Sequence, residues 1–215
     1  MTTPAVPPAP SADSPPAAPP LTRGTRALHW WQRLRDPRRG DPGTLAQLRR
    51  SRGTLEALRV REAYTLAHRV GGGRREASDR HVRASADLAR VLAHVKTHDP
   101  RQHPMQAAGW KRFAGSQRES DAGADRPALA EGRFRRLMLT GDGEEKVTAF
   151  TRLVALLGGT VNVAALANDF LLWNHPAHGD RVRERWAFLY YAAGDAAPPA
   201  PDDEPAPTPD EDDDA

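Results

Sequence analysis

The 215-residue chain has no cysteine, so disulfides and thiolate metal sites are excluded. It has only three lysines beside 28 arginines, an imbalance that partly reflects biased codon usage. No apolar run approaches the length that spans a bilayer, so no membrane partner is expected. The first residues offer no charged start followed by an apolar stretch, which argues against a secretory leader and sets a cytoplasmic location as the expectation. Alternating apolar and polar segments are also missing, so no strand is expected.

Large apolar side chains are nearly absent from both ends. Residues 1–20 hold eight prolines, and residues 196–215 hold six prolines and eight acids. Neither stretch can bury enough surface to offset the entropy of ordering. The expected organisation is a disordered Pro/Ala-rich tail over 1–22, one domain over 23–195, and a disordered acidic tail over 196–215. That leaves about 175 residues, enough for a substantial core.

What is present is positive charge, unevenly placed. Residues 21–120 carry 22 basic and 9 acidic residues, a surplus of 13. Residues 121–195 are near neutral, with 9 against 10. A concentrated basic field on a folded domain suits a polyanion, most often nucleic acid. The acidic tail opposes that field; it either serves solubility alone or acts as an internal phosphate mimic.

Helical spacing recurs along the whole folded part. A first helix is expected over Thr25–Arg35, with Leu28, Trp31 and Leu34 on one side. A short one starts at Thr44 with Leu45 and Leu48 inward, Arg50 pointing away and Arg49 flanking. Leu55 to Val70 reads as a single helix, closed by "GGG" at 71–73. Ser78 or Asp79 caps a long central helix to about Thr97 whose charges Arg80, Arg83, Asp87, Arg90 and His94 form one solvent stripe. Residues 98–127 are polar and irregular, with "GWKRFAG" embedded at 109–115. Further helices are expected over Pro127–Leu139 and Gly143–Leu157, after an Asn162 cap, and after an Asp180 cap. The expected fold class is an all-α, single helical bundle of about seven to nine helices.

Catalytic patterns are weak. His94 and His98 stand four apart, but no carboxylate pattern accompanies them, and a histidine near a helix C-terminus is favourable in its own right. His175 and His178 bracket a proline turn. "GGGRRE" lacks the Gly-Lys-Ser/Thr ending of a phosphate loop and follows a helix. No enzyme, cofactor or metal is expected. The basic clusters are different, because "LRRSR" at 48–52 and "RFRR" at 133–136 contain no acid. Solvated helices usually alternate signs. Arginine's planar fork suits phosphate, so these guanidiniums are expected to meet nucleic-acid backbone. Trp30 and Trp110 could stack on bases, but tryptophan in a helical protein more often belongs to the core.

The order "HWWQRLRD", "LAQLRRSR", "GRFRRLM", "VNVAALANDFLLWN" and "RVRERWAFLYYAAG" resembles the CasB family, the small subunit of the type I-E CRISPR surveillance complex Cascade, over roughly residues 27–194. The resemblance implies an all-α, non-catalytic, antiviral-defence protein. Its implied partners are the guide RNA, the target and displaced DNA strands of the R-loop, other Cascade subunits and a second copy of itself. The residues implicated are Arg49, Arg50, Arg135 and Arg136, with Arg80 and Arg112 as further carry-overs. Arg52, Lys111 and Arg133 join them as members of the same basic clusters. Two readings from other classes stay open: a free-standing helical DNA-binding regulator, for which Gln47 is a thin base reader, and a structural adaptor without nucleic-acid contact.

Overall fold

The computed structural model describes residues 21–72, 78–110 and 127–191. Ten helices occur among them: α1 (Arg23–Arg35), α2 (Pro42–Arg50), α3 (Thr54–Leu58), α4 (Arg61–Val70), α5 (Asp79–Ala93), α6 (Pro104–Ala108), α7 (Glu131–Met138), α8 (Glu144–Leu156), α9 (Val163–Leu172) and α10 (Gly179–Tyr191). The chain is thus all-α, the count reaching ten because α3 and α6 are five residues each. Two two-residue strands, β1 (Thr97–His98) and β2 (Thr160–Val161), pair in parallel. Most of both expected tails, and Lys111 and Arg112, lie outside the described residues.

α5 is the axis. Every residue from Ser85 to Ala93 is buried, and α2, α3, α4, α8 and α9 all pack on it. Its apolar residues cover most of its circumference, which is the pattern of a helix surrounded by others. The expected solvent stripe is therefore only partly one. Arg80 and Arg83 are exposed, whereas Asp87 and Arg90 are buried. Neighbouring elements supply the partners that make this burial tolerable: Thr54 Oγ1 donates to Asp87 at 2.8 Å, and Arg90 makes a bidentate contact with Glu144. α5 also ends four residues earlier than expected. The chain turns there so that Lys96 N–H bonds Gly159 O at 2.8 Å and leads into the β1–β2 pair. Gly158 and Gly159 make this junction with φ of 67° and 86°, a conformation that L side chains rarely adopt.

The expected single helix over 55–70 is broken at Arg59–Val60. Val60 is extended, and the break lets Ala57 from α3 and Ala63, Leu66, Ala67 and Val70 from α4 all reach the core. Leu55 is left 72% exposed, so it is not an inward residue. Within the expected irregular stretch, α6 forms behind a His103 cap with Pro104 at its start, a position where the missing N–H costs nothing. α2 starts at Pro42, two residues before the expected Thr44, behind an Asp41 cap that accepts from Thr44 N at 2.8 Å. Asp180 sits inside the first turn of α10, not before it. The caps expected at Ser78 and Asn162 are both in place.

α1 lies across α9 and α4. A Cβ at Gly24 would stand 2.2 Å from Ala164 O, so the α1–α9 approach requires glycine. Trp30 is fully buried and donates to Glu62 O at 2.9 Å, which places it in the core and removes it as a base-stacking candidate. Trp110 is half-buried and packs against the core. Phe150, Phe170, Trp173 and Trp186 form the aromatic centre under α8, α9 and α10.

Candidate nucleic-acid interface

α2 is held down by Leu45 and Leu48, both buried, so the two residues after Leu48 face outward. These are Arg49 and Arg50, in the last turn, where positive charge complements the helix dipole. Arg52 follows at the exit and is exposed. None of the three side chains has an ion pair or hydrogen bond among the described residues. Positive charge held this way, beside other cations, is electrostatically uncomfortable until an anion arrives.

Arg49 also lines a cleft of about 300 Å³ between α2, α5 and α8. Leu48 and Val147 line it on the apolar side, and Arg90, His94, Thr148, Thr151 and Arg152 contribute its polar atoms. Arg90 is already neutralised by Glu144 and by Asp87, 3.6 Å away. Burial pushes the Asp87 carboxyl upward, an effect opposed by the Thr54 hydrogen bond and by Arg90. Burial, then Arg49 and Arg90, pulls His94 below the ordinary histidine value. Arg35 on α1 is lowered too, by burial first and then by Arg49. The arrangement thus gathers cations and hydroxyl donors around a space that no free carboxylate lines.

A second patch is on α7. Phe134 and Leu137 point into the core, and Phe134 stacks on Tyr190 with centroids 4.0 Å apart. Arg133, Arg135 and Arg136 are therefore turned to solvent. Arg135 is not unpaired: Glu131, one turn earlier, accepts from it at 2.6 Å and is the main reason its pKa is raised. The acid lies just outside the "RFRR" window, which is why the cluster reads as unopposed in sequence. Arg133 and Arg136 have no partner among the described residues.

Arg80 occupies a third place. Its Nη2 donates to Asn174 O at 2.7 Å and lies 3.5 Å from Asp142. It ties the start of α5 to the turn between α9 and α10. Fourteen residues at about 1.5 Å each put it roughly 21 Å along the helix from His94. The structure thus joins Arg49 to Arg90, His94 and Arg152, and leaves the α7 arginines and Arg80 elsewhere. Arg152, Thr148 and Thr151 escaped the sequence reading because α8 carries no run of basic residues to mark them. His94 was visible only as a helix-end histidine.

Among the described residues there is no group of His, Cys, Asp or Glu able to hold a metal ion, and no helix long and apolar enough to cross a membrane. A family model described as CRISPR-associated protein Cse2 matches residues 44–191, roughly two-thirds of the chain, from within α2 to the end of α10. Comparison with curated proteins and with solved structures finds no match.

Proposed function

The chain belongs to the Cse2 family of CRISPR-associated proteins, also called CasB, the family of the type I-E Cascade small subunit, and from that premise we propose that it is a non-catalytic holder of nucleic-acid backbone. In this reading it steadies the guide RNA, the target strand and the displaced strand of the R-loop alongside the other Cascade subunits and a second copy of itself. The observation that carries it is the set of outward arginine side chains without acid partners among the described residues, Arg49, Arg50 and Arg52 at and just after the end of α2 and Arg133 and Arg136 on α7, beside helix faces that are fixed in the core.

The chemistry suits a sequence-tolerant task. A displaced strand can have any sequence, so its holder must read phosphate charge and not base edges. R-loop formation is close to balanced between heteroduplex and duplex, so a few added phosphate contacts shift it. Each neutralised phosphate also releases counterions, which makes the interaction salt-dependent. A duplex-specific regulator would need base-reading side chains in a groove-entering helix. Gln47, exposed on α2, is the one such group beside the arginines there. Co-expression tests the assignment: the tagged chain should carry other Cascade subunits and a guide RNA through purification. Recovery of the chain alone, with selective binding to one duplex, would establish the regulator instead. Recovery with the other subunits but no effect of the arginines on strand binding would establish the adaptor.

A further inference from the structure

We propose that the cleft between α2, α5 and α8 is a seat for one backbone phosphate of a single strand, gripped by Arg49 and Arg152, and that His94 takes up a proton as the phosphate enters. The proposal rests on the backbone-holding function above and adds a defined subsite and a proton linkage to it.

The donor set is the first reason. Arg49 and Arg152 are exposed at the cleft, from α2 and α8, and neither has a partner among the described residues. Thr148 and Thr151, one α8 turn apart on the same lining, have hydroxyls with no hydrogen bond among the described residues. Ser51, also in the lining, already donates to Gln47 O at 3.0 Å and is not available as a donor. The cleft therefore offers two guanidiniums, two hydroxyls and an imidazole, and its floor is apolar. Five groups able to donate, and no carboxylate in the lining, describe an anion site. Its volume of about 300 Å³ is ample for a phosphodiester and its flanking ribose atoms.

His94 supplies the second reason. It is half-buried at the C-terminus of α5, its ring without a hydrogen bond among the described residues. The charges around it are Arg90 on its own helix, Arg49 from α2 and Arg152 from α8, with Arg35 of α1 beside Arg49. The acids on this side, Asp87 and Glu144, are engaged with Arg90. Burial, then Arg49 and Arg90, disfavours a charged imidazole there. A phosphate offsets this positive field and provides an acceptor for one ring N–H. The phosphate itself stays singly charged, so the proton that is taken up belongs to the protein. Binding and protonation then favour each other, and affinity rises as pH falls through the region below the ordinary histidine value of about 6.5.

The test is fluorescence anisotropy of the full-length chain with oligo(dT), whose base does not titrate between pH 5.5 and 7.5. The wild-type affinity should strengthen by at least about threefold from pH 7.5 to 5.5, with a ceiling of tenfold per pH unit for one proton. His94→Gln should be flat within about twofold over the same range. Arg152→Gln and Arg49→Gln should each weaken binding more than Arg101→Gln, an exposed control on the loop before α6. Circular dichroism at each pH checks that every variant is folded, and Arg152→Gln, on the surface, reports on the seat even where His94→Gln folds poorly. A His94→Gln profile as steep as wild type overturns the proton linkage. Arg152→Gln indistinguishable from Arg101→Gln overturns the seat. In either case, retained oligo(dT) binding leaves the general function standing, whereas no binding at any pH overturns both.

Discussion

Asp169→Ala should be among the most damaging single substitutions in the chain while leaving the proposed nucleic-acid surface intact. Asp169 is fully buried on α9. Its carboxylate accepts from Trp186 Nε1 at 2.5 Å, from His103 Nε2 at 2.6 Å and from Arg185. His103 Nδ1 accepts from Met105 N at 3.2 Å, which fixes the ring proton on Nε2 and points it at Asp169. One side chain thereby joins the α6 cap to α9 and α10. Removing it strands three donors and leaves Arg185 without its counter-charge. Breaking a buried ion pair by deleting one partner costs about 3–5 kcal/mol. Arg185 and His103 keep some solvent exposure, 24% and 12% of their side-chain surface, so the lower part of that range is expected. At roughly 2–4 °C per kcal/mol for a domain of this size, the melting temperature should fall by about 6–12 °C. Asp169→Asn keeps one acceptor oxygen and should fall between wild type and Asp169→Ala. Thermal unfolding followed by circular dichroism reads both. A loss of less than about 1 kcal/mol for Asp169→Ala would refute the view that this carboxylate organises the α6–α9–α10 junction, because even one stranded buried donor costs that much.

The surface arginines should behave in the opposite way. Arg49→Glu with Arg50→Glu should shift stability by no more than about 0.5 kcal/mol per site, yet flatten the log–log salt dependence of single-strand binding by about 0.7 for each phosphate no longer neutralised; a large drop in melting temperature would mark both as structural. Gly24→Ala should destabilise by about 1–3 kcal/mol in urea titration, because its Cβ would meet Ala164 O at 2.2 Å where α1 crosses α9. The folded state holds His94 low, so the unfolded chain takes the proton first as pH drops. Its contribution to stability is present above about pH 6.5 and is lost as pH falls below it. His94→Gln should therefore lose less melting temperature than wild type between pH 7 and pH 5.

The all-α class and most helix faces were legible because the apolar spacing is regular: Leu45 and Leu48, Phe134 and Leu137, Val147 and Phe150 all face the core as their periodicity requires. What the sequence hid was decided by partners distant along the chain. Asp87 and Arg90 look solvent-facing on a helical wheel, but Thr54 and Glu144, 33 and 54 residues away, cover them. Leu55 and Val70 fit one periodicity, and only the shape of the core shows why the chain breaks at Val60. The candidate surface was half legible. Arginine runs announce themselves, so the outward positions of Arg49, Arg50, Arg133 and Arg136 were legible, whereas the pairing of Arg135 with Glu131 and of Arg80 with Asn174 was not. Arg152 and His94 gain meaning only through the cleft that α2, α5 and α8 enclose. Lys111 and Arg112 fall outside the described residues.

The most direct test of the central claim is the affinity of the full-length chain for two single-stranded DNA oligonucleotides of unrelated sequence, measured across a salt series. A holder of nucleic-acid backbone predicts nearly equal affinities for the two strands, with log affinity falling linearly against log salt by about 0.7 per phosphate neutralised. An affinity indifferent to salt, or a strong preference for one of the two sequences, would contradict it.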